Sequence, residues 1–189
     1  MSYIIGIGGV RGAGKSTIAR ALGTIIRADI ISSGRTREMI RAQYDRDKLP
    51  ELFQSVNSAL SIEESEQRLI IQSTIMKPSL QVAITQCVKR EANLIIEGTH
   101  IYPGLLDENF NLFVLLIASK KKLVYRVHKD KNREMSKEAV DRNFQLQKLL
   151  IKKAKKNRIP IIDTDSIPGA VIEIVKLFPT KNLPITYFE

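Results

Sequence analysis

The chain has 189 residues, 43% of them hydrophobic, and a formal net charge of +10. That length suits one domain with a real core, and no apolar run approaches the roughly 20 residues that a spanning helix needs. The single cysteine, Cys87, excludes an internal disulfide, and one cysteine with two separated histidines argues against a zinc centre. The chain enters a β-rich run at once, with no signal-peptide profile, so a cytoplasmic protein without membrane contact is expected.

The first run, "YIIGIG", reads as a buried strand, and "KSTIARALGTIIR" (Lys15 to Arg27) as a helix with Ile18, Leu22 and Ile25 or Ile26 at helical spacing. Between them lies Gly9, four residues, then Gly14, Lys15 and Ser16, the G-x-x-x-x-G-K-[ST] spacing of a P-loop. Glycines let the backbone turn its N–H groups onto a phosphate, because they accept φ > 0 and carry no Cβ. Lys15 can reach β- and γ-phosphates, the Ser16 hydroxyl can sit on Mg²⁺, and the helix start adds its positive dipole end. Gly9, Arg11, Gly12, Ala13, Gly14, Lys15, Ser16 and Thr17 are thus the candidate nucleotide-binding residues. A dinucleotide fingerprint would need a third glycine where Arg11 stands.

The next strand is "ADIIS" (Ala28 to Ser32). It runs into "SSGRTREMIR", where Ser33, Arg35 and Arg37 are candidates for an anionic acceptor, since Arg binds carboxylate or phosphate with two parallel bonds. Arg41, a turn further on, reads as surface. A helix is expected from about Thr36 to Tyr44, then a helical stretch from about Pro50 to Glu91 that Pro78 should kink or split. Cys87 shares a helical face with Leu80 and Ile84 and reads as a core thiol. The third strand, "ANLIIEG" (Ala92 to Gly98), ends in Glu97. Ligands collect at the carboxyl ends of parallel strands, and an acid there is costly unless it is paired or works on a metal. Glu97 is therefore the candidate second metal-holding residue beside Ser16, and His100 and Tyr102 just beyond it are candidates to line an acceptor pocket.

"NLFVLLIAS" (Asn111 to Ser119) is the fourth strand and "IPIIDTD" (Ile159 to Asp165) the fifth. Between them come helices at Lys120 to His128 and Ser136 to Lys156, and a last helix follows Asp165, with Pro168 in its first turn. Residues 119–158 carry 15 Lys and Arg against 4 Asp and Glu, a net +11, so this segment holds the whole excess charge. Arg126 and Arg133 bracket a polar excursion and, with Arg142, could bring positive charge onto a transferring phosphoryl from a helical lid at about 126–142. Only Tyr125 and Phe144 interleave the basic run, so a nucleic-acid partner is not expected. Runs apolar on both faces alternating with helices predict an α/β fold of three layers, with a five-stranded parallel sheet in the order 2-3-1-4-5. No N-K-x-D or D-x-x-G guanine signature is present. A small-molecule kinase fits best, with a nucleoside or nucleotide kinase, a polynucleotide 5′-hydroxyl kinase or a non-catalytic nucleotide-binding protein as alternatives.

"IIGIGGVRGAGKSTIARAL", "IISSGRTREMIR", "LIIEGTHIYPG" and the "RVHKDKNR…RNFQLQKLLI" region together resemble the archaeal 2-phosphoglycerate kinase family, over roughly Tyr3 to Asp163. The resemblance implies an ATP- and Mg²⁺-dependent enzyme that phosphorylates a hydroxyl of a small acid already carrying a phosphate. It implies ATP on Gly9 to Thr17, metal on Ser16 and Glu97, and acceptor and lid roles for Arg37, Arg126 and Arg133. The family often carries a further N-terminal region that is not present here. It also has an Asp where this chain reads Gly34 after Ser32 and Ser33. The resemblance therefore leaves the acceptor open between 2-phosphoglycerate and the similar mevalonate 3-phosphate.

Overall fold

The computed structural model describes residues 2–59, 61–129 and 135–178. Five strands form one parallel sheet: β1 (Ile4–Gly8), β2 (Ala28–Ser32), β3 (Asn93–Glu97), β4 (Leu112–Ile117) and β5 (Ile161–Asp163). Their order is β2-β3-β1-β4-β5, as predicted, and each strand falls within its apolar run. β1 is buried at all five positions, which suits the central strand of a sheet covered on both faces. β2 lies at one edge, where Asp29 and Ile30 are exposed.

The helices are α1 (Lys15–Ile26), α2 (Ser33–Arg41), α3 (Ile62–Lys89), α4 (Lys120–Lys129), α5 (Lys137–Lys156) and α6 (Ile167–Lys176). α1 packs on β1, β2, β3 and α6, while α3 packs on β3 and α5, and α5 on β4. The sheet is thus sandwiched between two helical layers. Among the described residues, no helix is long and apolar enough to cross a membrane.

Three expectations are corrected. The stretch from Pro50 is not helical throughout: two 3-10 turns, Pro50–Phe53 and Val56–Ser58, precede α3. Serines there offer the backbone local partners that compete with a helix, since Ser55 Oγ accepts from the Asn57 N–H and Ser61 Oγ caps α3 at Glu64 N. Pro78 does not split α3. Met76, Leu80, Ile84 and Cys87 bury one helical face against the core, and that packing outweighs the one backbone bond proline removes. Finally, α2 begins three residues early, because Ser33 is drawn into the interior against Gly98.

From β1 the chain crosses to β2 and β3 on one side, and only then to β4 and β5 on the other. Neighbouring connections therefore part at β1, and a crevice opens beyond the carboxyl ends of the strands. Glu97 pairs in register with Ile7, which sets it beside the loop leaving β1.

Candidate active site

The loop from Gly8 to Gly14 is shaped by residues distant in sequence. Asn143 Nδ2 on α5 donates to the Arg11 carbonyl (2.8 Å), Arg126 Nη1 on α4 to the Gly12 carbonyl (3.2 Å), and Thr164 Oγ1, just after β5, to the Ala13 carbonyl (3.0 Å). In a planar trans peptide the next N–H points opposite the carbonyl. Anchoring these carbonyls therefore fixes the peptide units that carry the N–H groups of Gly12 and Gly14, residues that both line the cleft. Gly12 (φ 81°) and Gly14 (φ 83°) sit in the left-handed region, and a Cβ on Gly9 would meet the Leu116 carbonyl at 2.6 Å. Such a backbone cradle, opening the N-terminus of α1, fits an anionic phosphate chain.

The cleft encloses about 790 Å³, within the usual range for small-molecule sites. One half of it is lined by Lys15, Ser16, Thr17 and Glu97. Lys15 Nζ donates to the Val10 carbonyl (2.8 Å). Burial pulls the Lys15 ammonium down to about 8, against the attraction of Glu97 and with a smaller push from Arg11. Ser16 Oγ donates to Glu97 Oε1 (3.1 Å), and Glu97 is 5% exposed. Among the described residues no three His, Cys, Asp or Glu come together as a metal cluster. A hydroxyl and a carboxylate side by side beneath a phosphate cradle suit Mg²⁺, which takes few protein ligands and completes its shell with phosphate oxygens and water.

The depressed Lys15 value gives a testable pH dependence. Below pH 8 the free protein carries the ammonium, while above it the amine is neutral and a polyphosphate must bring a proton with it. ATP affinity should be flat below pH 8 and then fall by up to about tenfold per pH unit. Calorimetry on either side of pH 8, in buffers of different ionisation enthalpy, should show proton uptake only on the alkaline side. For the free protein the sign is opposite: folding stability from this group rises as pH climbs from about 8 toward 10.5, because the unfolded chain still binds the proton.

The other half of the cleft is lined by Gly34, Arg37, Asn57, Gly98, Thr99 and His100, among others. Arg37 Nε is anchored on the Leu52 carbonyl (2.9 Å) and is half-buried. His100 is 6% exposed, with Nε2 at 2.9 Å from Gln72 Oε1. Burial, reinforced by the Arg37 and Lys15 charges, holds its imidazole down to about 3. Ser33 lies under Gly98, where an added Cβ would meet Ser33 Oγ at 1.7 Å and Ser33 Cβ at 2.8 Å. Gly98→Ala should therefore cost about 1–3 kcal/mol in urea unfolding and lower turnover by shifting the strand end that carries Glu97. Adding Ser33→Gly, which removes both obstructing atoms, should recover only part of that stability, because Gly98 (φ 152°) lies where a residue with a Cβ is strained whatever the space.

Several candidates lie elsewhere. Arg35 is exposed and does not line the cleft. Tyr102 is buried, but its hydroxyl donates to Glu66, which also pairs with Lys153 (2.9 Å), and it too is absent from the cleft wall. That network ties the loop after β3 to α3 and α5. Arg142 Nη1 donates to the Asn57 carbonyl (3.3 Å) and lines an adjoining hollow of about 360 Å³, together with Arg11 and Asn57. Arg126 lines the main cleft, bound to Gly12 and to both the hydroxyl and the carbonyl of Thr164. It belongs to the frame of the loop. Arg133 falls outside the described residues. Arg41, half-buried, pairs with Glu38 (2.8 Å), lies over the Phe53 ring and does not line the cleft.

Sequence reasoning missed Asn143, Thr164 and Gln72. Each had a signal. Asn143 interrupts the apolar stripe of Val140, Leu146 and Leu150 on α5, Gln72 interrupts that of Leu69 and Met76 on α3, and Thr164 follows the end of β5. Buried polar groups on such faces must find partners.

No protein-family model matches the chain. It is similar to a curated protein named 2-phosphoglycerate kinase from Methanococcus vannielii, 26% identical over 200 residues that cover 93% of this chain and 64% of the relative. A protein of the same name from Pyrococcus furiosus is 25% identical over 203 residues, covering 96% and 66%. The chain thus spans a little under two thirds of the length of the curated relatives it matches. Among solved structures it is similar to a shikimate kinase from Acinetobacter baumannii in complex with shikimate (TM-score 0.60, 16% identity, 94% and 93% of the two chains). It is also similar to a gluconokinase from Sinorhizobium meliloti (TM-score 0.54, 17% identity, 92% and 90%). At those identities the likeness is one of fold alone.

Proposed function

We propose that this relative of archaeal 2-phosphoglycerate kinases is an ATP- and Mg²⁺-dependent kinase acting on a hydroxyl of a small phosphorylated carboxylic acid. The observation that carries the reading is the Ser16–Glu97 pair at 3.1 Å beside the glycine cradle, in one cleft with Arg37 and His100. The names of the curated relatives support the same chemistry.

The bound magnesium nucleotide supplies the phosphoryl group and its electrophilic phosphorus. The protein's own part is positioning and charge. The Gly12 and Gly14 amides and the Lys15 ammonium hold phosphate oxygens, with Gly9, Arg11, Ala13 and Thr17 completing the loop. Ser16 and Glu97 would hold the metal. Arg37, fixed by the Leu52 carbonyl, offers its remaining N–H groups to an acidic acceptor. Arg126, fixed on α4 against the loop, adds positive charge beside the phosphates, and Arg142 adds more from the adjoining hollow.

Between acceptors, Gly34 favours one larger than 2-phosphoglycerate. It lines the cleft, and a Cβ there would meet nothing nearer than Ser32 Oγ at 3.6 Å, so the missing side chain leaves its space to the ligand. Mevalonate 3-phosphate, with carboxylate, phosphate and free hydroxyl, would use that room. The test is ADP release with ATP and Mg²⁺ across 2-phosphoglycerate, mevalonate 3-phosphate, nucleoside monophosphates and 5′-hydroxyl RNA. Strong turnover on one phosphorylated acid is expected. Turnover confined to nucleotides or RNA would overturn the acceptor class, and none with any of them would overturn the enzyme.

A further inference from the structure

We propose that His100 presents a bare Nδ1 lone pair that accepts a hydrogen bond from the hydroxyl of the phosphoryl acceptor, and that Gln72 sets this role by fixing the imidazole tautomer. The inference rests on the kinase reading above, and starts from a fully buried amide. Gln72 Nε2 donates to two backbone carbonyls, Glu51 (2.7 Å) and Gln54 (2.8 Å), in the 3-10 turns before α3. Both amide protons are thereby used. The reverse orientation would set the amide oxygen against two carbonyl oxygens, so the side chain has one acceptable pose.

In that pose Gln72 Oε1 faces His100 Nε2 at 2.9 Å. An amide oxygen only accepts, so Nε2 carries the proton. A second proton on the ring would be an unsolvated charge, opposed also by the Arg37 and Lys15 charges. Nδ1 is thus an acceptor, and it is buried with no hydrogen-bond partner. The ring lines the cleft whereas Gln72 does not, so the Nε2 edge is committed to α3 and Nδ1, itself closed to solvent, is the ring's unused polar atom.

The chemistry of that atom selects its partner. A bare nitrogen repels carboxylate and phosphate oxygens and accepts from an O–H donor. The anionic parts of the acceptor have Arg37 and the cradle to go to, so the hydroxyl is the group left for Nδ1. Holding its hydrogen there leaves an oxygen lone pair free for the phosphoryl side of the cleft. Gln72 acts through His100 and is a positioning residue.

The test has two arms. Nitrogen-15 spectra of histidine-labelled protein should show a protonated Nε2 and a pyridine-type Nδ1, with His128→Asn removing the second histidine signal; the acceptor that the wild type turns over should move the Nδ1 resonance. An Nδ1–H tautomer or an imidazolium at neutral pH overturns the proposal. In kinetics, His100→Gln keeps a donor toward Gln72 and loses the acceptor at Nδ1, whereas His100→Asn can place an oxygen at Nδ1 and loses that donor. kcat/KM for the acceptor should fall roughly 10–100-fold in His100→Gln, with KM for ATP unchanged, and be largely retained in His100→Asn. Equal loss in both, or loss in neither, overturns it. Wild-type protein inactive on every acceptor sinks the kinase reading and this inference with it, while wild type and His100→Gln turning over alike sinks this inference alone.

Discussion

Lys15→Ala is expected to lower kcat by at least on the order of 10²–10³-fold and to leave the fold intact. Its ammonium is held against the loop by a backbone carbonyl, that of Val10. That tether aims it at whatever the cradle holds, and no amide can supply the same full charge to the phosphate chain. Burial disfavours the ammonium in the free protein, so removing it relieves a cost and should not reduce stability. The measurement pairs ADP release with urea unfolding. Wild-type turnover in Lys15→Ala would sink the kinase assignment, whereas loss of activity together with loss of cooperative unfolding would leave Lys15 only a structural part. Lys15→Arg should rescue poorly, since a planar fork does not fit a space made for a compact ammonium.

Glu97→Gln should produce the second largest loss. The substitution keeps an oxygen for the Ser16 hydroxyl, which now donates at 3.1 Å, and removes only the charge. Losing a supporting carboxylate of a metal site typically costs about 10–100-fold in metal affinity or activity. The apparent Mg²⁺ requirement should rise accordingly, and excess Mg²⁺ should restore part of the rate. A second readout is independent of turnover. Glu97 is the group that holds the Lys15 ammonium up against burial, so its neutralisation should move the alkaline fall in ATP affinity to below pH 8. An unchanged Mg²⁺ dependence and an unchanged pH profile would show that Glu97 only caps its loop.

The sequence by itself determined what local spacing can determine. Gly9, Gly14, Lys15 and Ser16 lie within eight residues, and the strand before and helix after them follow from apolar periodicity. The apolar runs were legible as parallel strands because the three central ones are buried along nearly their whole length and alternate with helical runs. Glu97 was legible because a charge at the end of such a strand needs a reason.

Only the tertiary structure decided which distant groups finish the site. The loop carbonyls are held by Asn143, Arg126 and Thr164, residues up to 151 positions away, and nothing in local spacing links a side chain to a backbone oxygen across the sheet. Pro78 reads as a break until the packing of α3 against the core outweighs one lost backbone bond. Tyr102 sits two residues past His100 and still joins a different network, because the loop after β3 turns one side chain to the cleft and the other toward α3 and α5. The state of His100 is the furthest from the sequence: its tautomer depends on an amide in α3, whose orientation depends in turn on two carbonyls in the turns before it. Local propensity acts over one helical turn or one strand, whereas hydrogen-bond partners and desolvation are set by whatever the fold brings within a few ångströms.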